Sequence, residues 1–202
     1  MLEGYAEAAQ VVTELVGRVP PDAWDAPALG EWDLRSLVGH TSRAFVTVLT
    51  YLERPADTED IDSPEGYYAL MSSITGEGID RSAVAQRGRD AGVALGDDPA
   101  AAFATLAERA VAATRAADPD ALITTLAGGM RVASYVPTRT IELVVHGYDI
   151  ARATGLDVAF SAHTTTQVAT VLTRTGVRLG HGPMLLHALT GRGSLPPGFS
   201  VV

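Results

Sequence analysis

Apolar residues recur at spacings of three and four along most of the chain, the period of an amphipathic helix. Over residues 2–18 this places Leu2, Tyr5, Ala9, Val12 and Leu15 on one face, and Pro20-Pro21 ends the run. A loop rich in Pro and Ala, with two tryptophans, follows. Asp33 is a good N-cap for a long helix reaching about Glu53, whose apolar set is Leu34, Leu37, Val38, Phe45, Val48, Leu49 and Leu52.

Residues 54–63 read as a polar, acidic loop. Ser63-Pro64-Glu65 is a helix start, a cap followed by proline at the first helical position. The stretch 64–96 predicts one broken helix or two short ones, interrupted at Gly76 and Gly78. Asp98-Pro99 opens the next helix, to about Ala117. Residues 121–135 are ambiguous, with Gly128-Gly129 punctuating a short extended piece, MRVASYV, ahead of Pro137. A helix from Pro137 to Thr154 is stopped by Gly155, Ser161 caps another to about Leu179, and a short one covers 183–190. Strands and helices do not alternate as a parallel sheet requires. The reading is an all-α fold: a bundle over 1–155 and a short C-terminal helical extension over 156–202 packed on it.

Composition narrows the chemistry. The 202 residues carry no cysteine, which removes disulfides, thiolate metal sites and a cysteine nucleophile. All 15 basic residues are arginine, so Schiff-base chemistry and a P-loop lysine are excluded. A net charge of −9 without a basic run argues against nucleic acid as a partner. No apolar run approaches the ~18 residues of a membrane span. The first residues lack the basic start and apolar run of a signal peptide, so a cytoplasmic location is expected.

The helix at 137–154 is the unusual one. At 100° per residue Glu142, His146, Asp149 and Ala153 share a stripe, flanked by Ile141, Val145 and Tyr148 on one side and by Leu143 and Ile150 on the other. A carboxylate and an imidazole on a buried face cost several kcal/mol unless paired or ligated. Glu and His at i and i+4 can reach one ion, and this donor pair suits Zn²⁺, Fe²⁺ or Ni²⁺. The pair is equally consistent with a buried Glu–His hydrogen bond that only fixes packing. His40, near Leu37 and Ala44 at the edge of an apolar face, is the best-placed third ligand, although a lone histidine there is ordinarily unligated. His163, His181 and His187 read as structural or solvent-facing.

The segment Trp32-Asp33-Leu34-Arg35-Ser36-Leu37-Val38-Gly39-His40 resembles the first signature of the mycothiol-dependent maleylpyruvate isomerase-like family, within the DinB superfamily of metal-binding four-helix bundles. Ser36 stands where that signature has an acidic residue. The segment Arg139-Thr140-Ile141-Glu142-Leu143-Val144-Val145-His146-Gly147-Tyr148-Asp149 resembles the second signature, R-x-x-E-x-x-x-H-x-x-D. The tail from Leu189 through Val201 is similar to the family's ending. The resemblance implies a DinB-like four-helix bundle with His40, Glu142 and His146 on one divalent ion, typically zinc, and water completing the shell. It further implies a low-molecular-weight thiol, mycothiol, as cosubstrate, and a small electrophile as substrate for S-transfer or isomerisation. Residues 156–202 hold too few strand-like runs for the α/β second domain of the full isomerase.

Around that site, Asp149 is read as a partner that orients a ligand, or else as an ion pair with Arg152 or Arg139. Arg192 is read as a contact for an anionic substrate group, or else as a surface arginine. Trp32 is read as a staple against the next helical turn, or as a wall of the pocket. Residues 54–96 give no chemical clue; a pocket lid and a homodimer face are the roles open to them. Two rival readings remain: a metal-binding or sensor protein without turnover, and a plain helical interaction module.

Overall fold

The computed structural model describes residues 2–75 and 81–202. The expected break at Gly76 and Gly78 therefore lies outside the described residues. Four helices form the bundle: α1 (Leu2–Val16), α2 (Leu34–Leu52), α5 (Pro99–Ala116) and α6 (Val132–Thr154). Each of α1 and α2 packs against both α5 and α6, which closes a ring of four around one core. That core holds Val12, Leu15, Leu37, Ile141, Leu143 and Ile150, none more than 1% exposed, with the rings of Phe45 and Phe103 edge to face at 5.0 Å. The all-α, DinB-like bundle expected from the sequence is the fold observed.

The caps form as their chemistry requires. Asp33 accepts from the Ser36 amide at 2.7 Å, Asp98 from Ala101 at 3.0 Å and Ser161 from Thr164 at 3.2 Å. Gly155 ends α6 with φ 70°, a left-handed conformation that an L side chain resists. Between α2 and α5 lie α3 (Pro64–Thr75) and α4 (Arg81–Ala94). α4 runs against α2 so closely that a Cβ on Gly39 would be driven into the backbone of Gly92.

The start of α6 differs from the sequence reading. The extended piece stops at Arg131, and α6 begins at Val132, not at Pro137. Two antiparallel ribbons supplement the bundle: β1 (Pro27–Leu29) with β2 (Trp32–Asp33), and β3 (Leu122–Thr125) with β4 (Gly128–Arg131). The second ends at the pair Leu122 and Arg131, after which the Val132 amide donates to the Ala121 carbonyl. Burial decides the outcome: Val132, Tyr135 and Val136 are each at most 1% exposed as helical residues. Pro137 forfeits one helical bond, that to the Ala133 carbonyl, and the buried apolar area outweighs it.

The C-terminal extension consists of α7 (Ala162–Arg178), packed on α1, α3 and α6, and α8 (Gly182–Leu189), packed on α7. Glu7 of α1 ties down the start of α7: its carboxylate accepts from the Ser161 amide, the Ser161 hydroxyl and the Thr164 hydroxyl, each at 2.6 Å. Burial pushes the Glu7 carboxyl up, but these bonds outweigh it and hold it below the usual carboxylate range. A depressed folded pKa contributes stability above the unfolded value near 4.3 and loses it as pH falls through the folded one. Exchange protection of the first amides of α7 should therefore drop on acidification below about pH 4.3. Glu7→Ala should loosen α7 by about 1–3 kcal/mol and abolish that pH dependence. Equal protection in both proteins at pH 6 would contradict this.

Candidate metal centre

α2 and α6 bring three side chains to one point. His40, Glu142 and His146 each offer a ligand atom, and these atoms lie within 4.8 Å of one another. The Asp33 cap sets where α2 begins, and burial of Leu37, Val38, Ala44 and Phe45 turns His40 toward α6. On α6, burial of Ile141, Leu143, Val144 and Ile150 leaves Glu142, His146 and Asp149 as the polar stripe. Tyr148 departs from the expected apolar flank: it is 47% exposed, its ring edge-on to Phe160 at 5.3 Å.

Hydrogen bonding orients the α6 half of the site. His146 Nε2 lies 3.4 Å from Glu142 Oε2, and His146 Nδ1 lies 3.2 Å from Asp149 Oδ2. The other Asp149 oxygen accepts from Arg152 at 3.0 Å. Arg139 faces Glu142, not Asp149, with 3.9 Å between its nitrogen and Oε1. Its guanidinium lies over the rings of Tyr67 and Tyr135, at 5.7 and 5.2 Å.

Stacking orients the α2 half. The His40 ring lies 4.6 Å from the Trp32 indole at 32°, and 5.0 Å edge-on from His146. The indole nitrogen donates to the Ala85 carbonyl on α4 at 2.9 Å. His40 Nδ1 is buried and has no hydrogen-bond partner. A buried polar atom left unpaired costs about 1–3 kcal/mol.

These surroundings set the two imidazoles apart. Burial, then the His146 charge, lowers the His40 pKa to about 4, so His40 is neutral at pH 7. Burial also acts to lower His146, but hydrogen bonds to Asp149 and Glu142 outweigh it and raise His146 to about 9. Burial acts to raise Glu142; the His146 hydrogen bond and the Arg139 charge overcome it and bring the carboxyl down to about 2. At neutral pH the cluster is one carboxylate, one neutral imidazole and one imidazolium.

One donor pair of the cluster, within a set that spans at most 4.8 Å, already has the spacing a divalent ion needs. Ligand atoms about 2.0–2.1 Å from a tetrahedral ion stand about 3.3 Å apart, and Glu142 Oε2 and His146 Nε2 are 3.4 Å apart. The remaining predicted residues lie elsewhere. Arg192 is exposed, donating to the Thr190 carbonyl at 3.1 Å. His163 and His187 are exposed, and the His181 ring meets Phe199 at 5.2 Å. Sequence reasoning missed Tyr68, whose hydroxyl lies 3.1 Å from Glu142 Oε1. The i,i+3 spacing of Arg139 and Glu142 was the one available hint of their contact.

A helical bundle with three convergent histidine and glutamate donors on two facing helices has the arrangement from which metal sites can be built in a bundle core. The comparison with family models specifies the family: the chain belongs to the mycothiol maleylpyruvate isomerase N-terminal domain family, whose model matches residues 5–151. No curated protein and no solved structure matches it significantly. Among the described residues no helix is long and apolar enough to cross a membrane.

Proposed function

We propose that this protein is a metal-dependent enzyme that uses a low-molecular-weight thiol, mycothiol, in S-transfer to, or isomerisation of, a small electrophile. His40, Glu142 and His146 hold the divalent ion, zinc first among zinc, nickel and iron. One observation carries the reading: residues about a hundred positions apart bring three donor atoms within 4.8 Å of one another, and one of them, His40, has a buried ring nitrogen with no partner. A bound ion would supply stabilisation of a thiolate at neutral pH. The chain has no thiol of its own, so the sulfur comes from outside.

The remaining work falls to side chains. Asp149 accepts from His146 Nδ1, which fixes the ring with Nε2 turned toward Glu142. Arg152 holds Asp149 in turn. Trp32 covers the His40 ring and keeps water from that side. Three protein ligands leave room for an exogenous one.

Incubation of zinc-loaded protein with mycothiol and a panel of electrophiles tests this. Conjugate or isomer should form, and should vanish in His146→Ala. A second reading, binding without turnover, is favoured by where the family match falls, on the N-terminal domain of the isomerase. Stoichiometric metal with no product above the His146→Ala background would select it. Absence of stoichiometric metal in untagged protein would refute both.

Metal uptake should also displace a proton. Between about pH 4 and about pH 9, His40 is neutral and His146 protonated in the metal-free site. Ligation needs both neutral, so close to one proton should leave per ion at pH 7, and affinity should climb about tenfold per pH unit in that window. Calorimetry in buffers of different ionisation enthalpy measures this; no proton release would show that His146 is not a ligand.

A further inference from the structure

The two oxygens of the Glu142 carboxylate have different neighbours. Oε2 lies 3.4 Å from His146 Nε2. Oε1 lies 3.1 Å from the Tyr68 hydroxyl on α3, and 3.9 Å from Arg139. Arg139 is otherwise engaged, over two tyrosine rings and through its Nε donating to the Thr138 hydroxyl at 3.0 Å. Among the described residues Tyr68 is therefore the group within hydrogen-bond distance of Oε1. The Tyr68 hydroxyl, on a side chain only 5% exposed overall, also lies 2.9 Å from the Thr138 carbonyl. It has one proton to give, and an ionised carboxylate is a stronger acceptor than a neutral carbonyl.

We propose that Tyr68 is a positioning residue of the metal centre: it holds Oε1 of Glu142 against α3, so that Oε2 alone serves the ion. A carboxylate that ligates through both oxygens takes two coordination positions; held to one oxygen, it takes one and leaves the other for an incoming ligand. The inference rests on the metal reading above. It also gives α3, from a segment without chemical signature in the sequence, a defined place in the site.

The test is zinc affinity by competition with a chromophoric chelator. Tyr68→Phe removes only the hydroxyl and should weaken zinc about 10–100-fold, the usual effect of losing a group that orients a ligand. Tyr148→Phe, half exposed on the site helix, is the control and should leave affinity unchanged. In a Glu142→Ala background, Tyr68→Phe should change affinity by less than about twofold, because the residue it acts through is gone. Affinity within about twofold of wild type in folded Tyr68→Phe overturns the proposal. Equal losses in both backgrounds overturn it too, since they mark a merely structural tyrosine. Infrared spectra need no Tyr68 variant. The carboxylate bands of zinc-loaded wild type, assigned by difference from Glu142→Ala, should show the wide splitting of one-oxygen ligation, and the narrow splitting of two-oxygen ligation would refute the proposal. Wild-type protein that binds none of zinc, nickel and iron removes the metal reading itself, and this proposal with it.

Discussion

His146→Ala should weaken zinc binding by more than about 100-fold, beyond the 10–100-fold typical of losing an outer partner. The substitution removes one of three donors and also strands two carboxylates. Glu142 Oε2 loses its neighbour at 3.4 Å, and Asp149 Oδ2 the ring nitrogen at 3.2 Å. Arg139 and Arg152 remain beside them, so the charges stay partly balanced and α6 stays helical. The metal-free protein should thus fold while affinity collapses. Chelator competition, with circular dichroism as the folding check, gives the answer. A loss below about tenfold would place the ion elsewhere.

Gly39→Ala should destabilise the molecule strongly for a single added methyl. The new Cβ would run into the Gly92 backbone on α4, and helix backbones cannot rotate aside as side chains do. A Cβ on Gly92 would in turn sit 2.8 Å from the Arg35 carbonyl, so the close approach of α2 and α4 is mutual. Overpacking of this kind costs about 1–3 kcal/mol and more where backbone must move, so a loss of about 3 kcal/mol in urea denaturation is expected. The strain should also reach the site. α4 carries the Ala85 carbonyl that anchors Trp32, and Trp32 seats the His40 ring. Folded Gly39→Ala should therefore bind zinc more weakly than wild type. Stability within about 1 kcal/mol of wild type would show that the helices part without strain.

What the sequence disclosed follows the range of each interaction. Caps act over three residues, so Asp33, Asp98 and Ser161 were readable, and so was the glycine stop at 155. The Glu142–His146–Asp149 stripe lies on one helix, where spacing alone fixes the geometry. The start of α6 was misplaced because burial of Val132, Tyr135 and Val136 overrode a local proline signal. His40 carries only a weak signal of its own, its place at the edge of an apolar face, since a histidine there acquires meaning only once α2 lies against α6; family resemblance strengthens it. Tyr68 and the stacking of Trp32 depend on where α3 and α4 cross the bundle, which no local pattern encodes.

The ring order of the bundle has a consequence for synthesis. α1 and α2 emerge first, yet neither finds all its partners until α5 and then α6 have been made. At about 5–20 residues per second, the hundred or so residues between His40 and Glu142 take roughly 5–20 s to leave the ribosome. During that interval α2 gains α4, and α1 and α2 both gain α5, so the faces that wait longest are those that pack on α6. Contacts so distant along the chain slow closure of a helical protein that would otherwise fold fast. The nascent chain thus spends seconds with the α6-facing surfaces of α1 and α2 uncovered, and translation of α6 both completes the candidate site and ends that exposure.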